Sequence, residues 1–416
     1  MKLPPICAAS ATVDITPEEQ VELGCGQGGE ASWLIGDQVE INFLALQLEG
    51  DLPVILASVD VLYIGPLLEQ MIVRAFPGLP RERLFIAATH THAAPMTDPT
   101  KPTLGSPDDR YMSTLPERIE RAADHLLEDS NYRSVTLKAA RGYGEHSINR
   151  RRWKEGTSGE PGFMDRKPNP KGPTDETITV LEAVDEDGNL LAFVWNYACH
   201  PVAYPRGKTI SSHFPGVLRE YVRREQRWQV PVLFFQGFSG NTRPRFLANF
   251  PTLRVRVGHF VRRRQLSDLN WRPSQFEHYA DWADSLARAT LRIAKRARAI
   301  SAQDISANRV EMEGRLFVSP LPRPVVFQSI RLGTKFGLVG VSAEPVSEYA
   351  DAVRKEFHAK FVMTVGCLDT PFGYAPIQSM IAERGYESQR FLEHFELEEL
   401  NPDVEQNMME GFRSVC

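Results

Sequence analysis

No stretch of this sequence is apolar for long enough to cross a membrane, since no run approaches the ~18 consecutive apolar residues that a span needs. Neither sign of charge dominates: 48 Lys and Arg stand against 53 Asp and Glu, a formal net charge of -5. That balance excludes the basic footprint of a nucleic-acid binder or of a protein drawn to anionic membranes. Cysteine is scarce. Five are scattered along 416 residues (Cys7, Cys25, Cys199, Cys367 and Cys416), an odd number with no CxxC, which points to reduced thiols and a cytoplasmic protein rather than a disulfide framework. The opening MKLPPICAASATVDITP has one Lys and no continuous apolar segment, so it does not read as a signal peptide. Repeats and long low-complexity tracts are missing too. With 42% hydrophobic and 24% charged residues, the composition is that of a soluble globular protein.

What is present reads as an α/β fold, with mixed β-sheets and flanking helices in a single domain over 1–416. Apolar spacing predicts helices over 65–79, 108–128, 215–226, 276–299 and 345–358. Strands are expected at LFIAATH, SVTLKAARG, VPVLFFQG, ISANRVEMEGRLFV, KFGLVGVSAE and FVMTVGCL. Two hairpins are legible. VEINFLALQLEGDLPVILASVDVL turns at Glu49-Gly50-Asp51, and ITVLEAVDEDGNLLAFVWNYACHP turns at Asp185–Asn189. Their second strands end in polar residues that can line a site: Asp60, Asn196 and His200. Residues 155–174, dense in Gly, Pro, Ser and Lys, read as an exposed loop. Residues 242–275 show no pattern and read as a lid, a substrate wall or an insertion. The basic run Arg254–Arg264 is a solvated face or a contact for an acidic substrate group. Gly24, Gly26 and Gly29 fit G-x-G-x-x-G, but with no strand before and no helix after them they mark a tight loop and not a nucleotide site.

Only ten histidines occur, yet two stand together in FIAATHTHAAP. In an extended chain residues i and i+2 point the same way, about 6.5–7 Å apart, so His90 and His92 are expected on one face at a strand end. There they can bind a metal, share a proton with a bound water, or simply form hydrogen bonds on a polar edge. His200 and Glu344 close two other apolar strands, each followed by Pro. A buried carboxylate at such a point is costly unless a cation or donor meets it. Two imidazoles and a carboxylate suit Zn²⁺ with one position left for water, whose pKa the ion lowers to about 7.

At this point the sequence resembles the neutral/alkaline ceramidase family, in its N-terminal catalytic domain. The stretches that carry the resemblance are VDITP, ATHTHAAP, SINRR at Ser147–Arg151, NYACHP, SSHFPG, FFQGFSGN, GVSAEPVSEY and GYAPIQSMIAERGYE, in the family's order along nearly the whole chain. The resemblance implies a zinc-dependent amidohydrolase in which metal-activated water cleaves the amide bond of an N-acyl amide. It implies His90, His200, Glu344 and Tyr374 as metal ligands, His92 as a catalytic histidine beside them, Arg150 as a substrate contact and Tyr386 as a support for the oxyanion. Lactone or ester hydrolysis, a cyclising zinc enzyme and a non-catalytic binding protein of the same descent are the alternatives. The partner is then a small-molecule amide or lactone. No nucleic acid or membrane span is expected, and the sequence does not give the oligomeric state.

The sequence departs from the family in three places. It runs only about 30 residues past GYAPIQSMIAERGYE, so a counterpart of the family's C-terminal immunoglobulin-like domain is not expected. Asn241 follows Gly240 where an Asp is usual. Ser211-Ser212-His213 stands where Ser-x-Asp is common, so His213 is read as a metal or substrate contact or as a helix cap.

Overall fold

The computed structural model describes residues 6–24, 32, 34–156, 161–205, 207–226, 228–245, 271, 276–313, 316–318 and 323–416. Among them a large mixed sheet runs in the order Val232–Gln236, Leu190–Tyr197, Thr177–Asp185, Arg133–Tyr143, Ile6–Asp14, Glu40–Leu48, Val54–Val59 and Leu84–Ala88, with Arg298–Ala299 beside Arg133–Tyr143. A second sheet holds Ile305–Met312, Val325–Leu332, Phe336–Val341 and Phe361–Val365. Both expected hairpins are present, Glu40–Leu48 with Val54–Val59 and Thr177–Asp185 with Leu190–Tyr197, each antiparallel.

Alternation along the strands packs the two sheets face to face. In Glu40–Leu48, Leu44, Leu46 and Leu48 turn into a core shared with Leu338, Met363 and Val365 of the second sheet. Ile41, Phe43 and Ala45 turn the other way, towards helices Gly65–Ala75 and Leu115–Leu127. Likewise Val194 faces the inter-sheet core, whereas Phe193, Trp195 and Tyr197 pack with helices His213–Arg224 and Phe276–Ala294. Side chains two apart share a face of a strand, so each strand serves two cores. Helices Tyr349–Phe357 and Val404–Val415 pack on the outer face of the second sheet.

Several sequence expectations change. The helix over 108–128 is two, Asp109–Ser113 and Leu115–Leu127, because Pro116 cannot continue the hydrogen-bond ladder of a preceding helix and instead starts the second one. The helix expected from 345 begins at Tyr349, since Glu344–Pro345 is drawn into a short strand. In the loop expected at 155–174, Phe163–Asn169 is a strand paired with Ser147–Lys154. Thr242–Pro244 adds to the other edge of that pair. Residues 246–270 and 272–275, which include the Arg254–Arg264 run, and Gly26 and Gly29 lie outside the described residues.

Two polar residues expected to line a site do structural work. Asp60 accepts from the Glu40 amide (3.0 Å) and is bound by Arg219, which also meets Glu40 at 3.0 Å. This buried network ties helix His213–Arg224 to the sheet. Asn196 donates its amide to Phe235 O (2.8 Å) and Thr364 O (3.0 Å), clamping one sheet to the other.

One feature of the topology positions the site. Within the two main sheets, three pairs of strands run parallel among the described residues: Val54–Val59 with Leu84–Ala88, Leu190–Tyr197 with Val232–Gln236, and Phe336–Val341 with Phe361–Val365. The loops after their carboxyl ends carry Tyr63, His90, His200, Ser239, Glu344 and Cys367. Open α/β sheets place ligand sites at such ends.

Candidate metal centre

His90 sits just beyond strand Leu84–Ala88 with φ 66°. The HxH is therefore not the extended pair expected from the sequence. The left-handed turn at His90, which costs a non-glycine residue about 1–2 kcal/mol, redirects the chain, and the rings of His90 and His92 still converge, with centroids 5.0 Å apart. His200 lies three residues past the end of Leu190–Tyr197. Its Nε2 is 3.2 Å from that of His90. Metal-ligating atoms of His90, His92 and His200 all lie within 4.8 Å of one another. Glu344 follows strand Phe336–Val341 of the second sheet, and its Oε2 is 3.1 Å from both Nε2 atoms. Glu344 is the register partner of Tyr374 in a two-residue parallel bridge, which brings the Tyr374 Oη to 3.2 Å from His200 Nε2.

Hydrogen bonds behind the rings fix their tautomers. His90 Nδ1 donates to Leu62 O (3.0 Å) and His200 Nδ1 to Ser239 O (2.8 Å). A carbonyl can only accept, so in the neutral rings both Nε2 atoms carry lone pairs. Glu344 Oε2, fully buried, makes no hydrogen bond of good geometry despite its two close nitrogens. Three acceptors thus point at one another out of water, an arrangement that is costly without a positive charge among them. The ionisation of the group expresses the same demand. Burial raises the Glu344 carboxyl, but His90 and His200 outweigh it and hold it well below the usual range. Burial opposes charging of His90, but Cys367 and Glu344 hold its pKa well above the ordinary value. His200 is pushed down to about 4 by burial and by Arg150.

Around this centre the sequence reading missed two contacts. Tyr63 donates its hydroxyl to Glu344 Oε1, leaving Oε2 as the atom aimed at the histidines. Cys367, which follows strand Phe361–Val365, is the largest of the influences that raise the His90 pKa. Both follow strands that the sequence made visible, but no local pattern marks them, because their partners lie hundreds of residues away.

His92 Nε2 is buried without a partner, and burial, His90 and His200 together hold its pKa well below 6.5. Arg150 is buried and held from behind: Nε donates to Glu387 Oε1 (2.9 Å) and Nη2 to Gly240 O (2.7 Å). Its guanidinium lies 5.4 Å from the Tyr374 ring centre and 5.6 Å from that of Tyr386, and the two tyrosine rings are 5.3 Å apart. His213 is not in the centre and is not a cap. It opens helix His213–Arg224 with φ 59°, donates Nδ1 to Pro201 O and stacks on Tyr204 with centroids 5.4 Å apart. Asn241 does not face the histidines. Its amide donates to Glu348 Oε2 (2.7 Å) and its carbonyl accepts from Ser347 N (2.9 Å), anchoring the chain just after Glu344.

The molecule is therefore a mixed α/β protein whose strand ends gather buried histidines, a carboxylate and a phenol into a group able to hold a metal ion. No protein-family model matches the sequence, and neither does any curated protein. The fold does have solved counterparts. Neutral ceramidase from Pseudomonas aeruginosa superposes with a TM-score of 0.75 at 14% identity, over 99% of this chain and 74% of that one. A ceramidase complexed with C2 gives 0.72 at 13% identity, over 99% and 74%. The resemblance read from the ordered motifs holds at the level of the fold. No helix among the described residues is long and apolar enough to cross a membrane.

Proposed function

We propose that this protein is a zinc-dependent hydrolase that cleaves an amide bond in a small N-acyl substrate. The observation that carries the reading is the meeting of His90 Nε2, His200 Nε2 and Glu344 Oε2 at 3.1–3.2 Å, all buried and all acceptors. These three would hold the ion, with Tyr374 as the fourth donor. Nitrogen and carboxylate ligands of this number suit Zn²⁺. When bound, the ion supplies Lewis acidity, bringing the pKa of a water to about 7 and polarising a carbonyl.

The chain's own residues do the rest. His92 stays neutral at working pH, so it can accept the proton that a nucleophilic water gives up and pass it to the leaving amine. Arg150, fixed by Glu387 and Gly240 O, and Tyr386 offer donors to the oxyanion, a type of interaction worth about 3–4 kcal/mol each in other enzymes. Tyr63 and the carbonyls of Leu62 and Ser239 orient the ligands. Outer partners of this kind tune affinity about 10–100-fold, so Tyr63→Phe should weaken zinc binding by that factor in a chelator competition while leaving the fold intact.

The direct test is elemental mass spectrometry on tag-free protein, followed by a panel of N-acyl amides and lactones. About one zinc per chain is expected, with hydrolysis of an amide in the panel. Protein purified without chelator that carries no stoichiometric metal would overturn the proposal.

A further inference from the structure

Among the described residues, Arg243 is a charge without a counter-charge. It lies on strand Thr242–Pro244, opposite Ile148 on the strand that carries Arg150. Its guanidinium stacks on Trp271, 4.3 Å from the ring centre, and its Nε is buried with no hydrogen-bond partner. Among the described residues no carboxylate pairs with it. The carboxylates nearby are taken: Glu387 serves Arg150 and Arg151, and Glu383 serves Arg151. Arg166, whose guanidinium sits 4.1 Å from the Tyr386 ring centre, has no ion pair among the described residues either. The Trp271 indole that stacks on Arg243 donates Nε1 to Arg166 O (2.8 Å), so one ring joins the two arginines, and burial, Arg150 and Arg166 press the pKa of Arg243 down to about 10. A half-buried guanidinium next to other guanidiniums is unfavourable in isolation and becomes favourable once an oxyanion bridges them.

We propose that Arg243 and Arg166 bind an oxyanion carried by the substrate, a carboxylate or a phosphate ester, beside Tyr386. The inference rests on the hydrolase reading for calling that ligand a substrate. It narrows the substrate class to acyl amides that carry a negative charge, and it counts against an uncharged lipid, which would leave Arg243 unpaired. Guanidinium suits the task because its planar fork meets two oxygens at once.

The test measures binding and turnover separately, by calorimetry and by product assay, with N-hexanoylglycine, N-hexanoyl-O-phosphoethanolamine and the uncharged N-hexanoylglycinamide. At least one anionic probe should bind about tenfold or more tighter than the amide, and the one that does identifies the oxyanion. In Arg243→Gln the preference should collapse, and Arg243→Lys, which keeps the charge without the fork, should retain part of it. Equal binding of all three probes, or a preference unchanged in Arg243→Gln, overturns the inference. Anion preference with no turnover of any probe sustains it and weighs against the hydrolase reading. Turnover with no anion preference does the reverse.

Discussion

Glu344→Ala should lose its metal and its activity together, with turnover falling at least about a thousandfold, because no hydroxide forms near neutral pH without the ion. The carboxylate is the only anion among His90, His200 and Glu344, and its Oε2 is the atom that both Nε2 atoms approach at 3.1 Å. Two neutral imidazoles and a phenol would remain, a weaker set for a divalent ion. The same substitution should also lower the stability of the metal-free protein, because Tyr63 loses its buried acceptor and His90 loses the carboxylate that holds its pKa up. Chelator-treated Glu344→Ala should therefore melt below chelator-treated wild type, and metal-loaded wild type should melt above both. A variant that kept stoichiometric zinc and full turnover would sink the ligand assignment.

His92→Ala should separate chemistry from binding. If His92 moves the proton and is no ligand, the variant keeps about one zinc per chain while kcat falls by about 10²–10⁴, the usual worth of a positioned acid–base group. Loss of the metal would instead make His92 a ligand, which its distance permits, since one of its ring nitrogens lies within the 4.8 Å cluster of His90 and His200. Metal content and kcat measured on one preparation distinguish the two.

Much of the frame was legible because it obeys local periodicity. Strands such as Val54–Val59 and Leu84–Ala88 are short apolar runs, fully buried as that pattern implies. Strand Ser147–Lys154 was legible only as a family motif, because three successive arginines, Arg150, Arg151 and Arg152, show no apolar alternation. Two of them are buried and paired with Glu387 and Glu383, more than two hundred residues away. Val325–Leu332 escaped for a related reason. Gln328 and Ser329 interrupt its alternation, and their partners, Leu84 O and Val415 O, come from distant segments. In the centre itself, residue types at strand ends pointed to His90, His200 and Glu344. The left-handed turn at His90 and the donor Tyr63 did not show, since each depends on packing across the two sheets. Asp60 and Asn196 show the converse: polar residues at the ends of strands also serve as fasteners.

The proposed ligands divide evenly between the layers. His90 and His200 hang from the large sheet, while Glu344 and Tyr374 belong to the side of the second one. An ion gripped by all four would act as a cross-tie between the two halves of the sandwich. Metal supply would then govern the lifetime of the protein as well as its rate of turnover. A free zinc concentration a thousandfold above the dissociation constant adds about 4 kcal/mol to the native state, and a cell short of zinc would hold fewer intact copies, not merely slower ones.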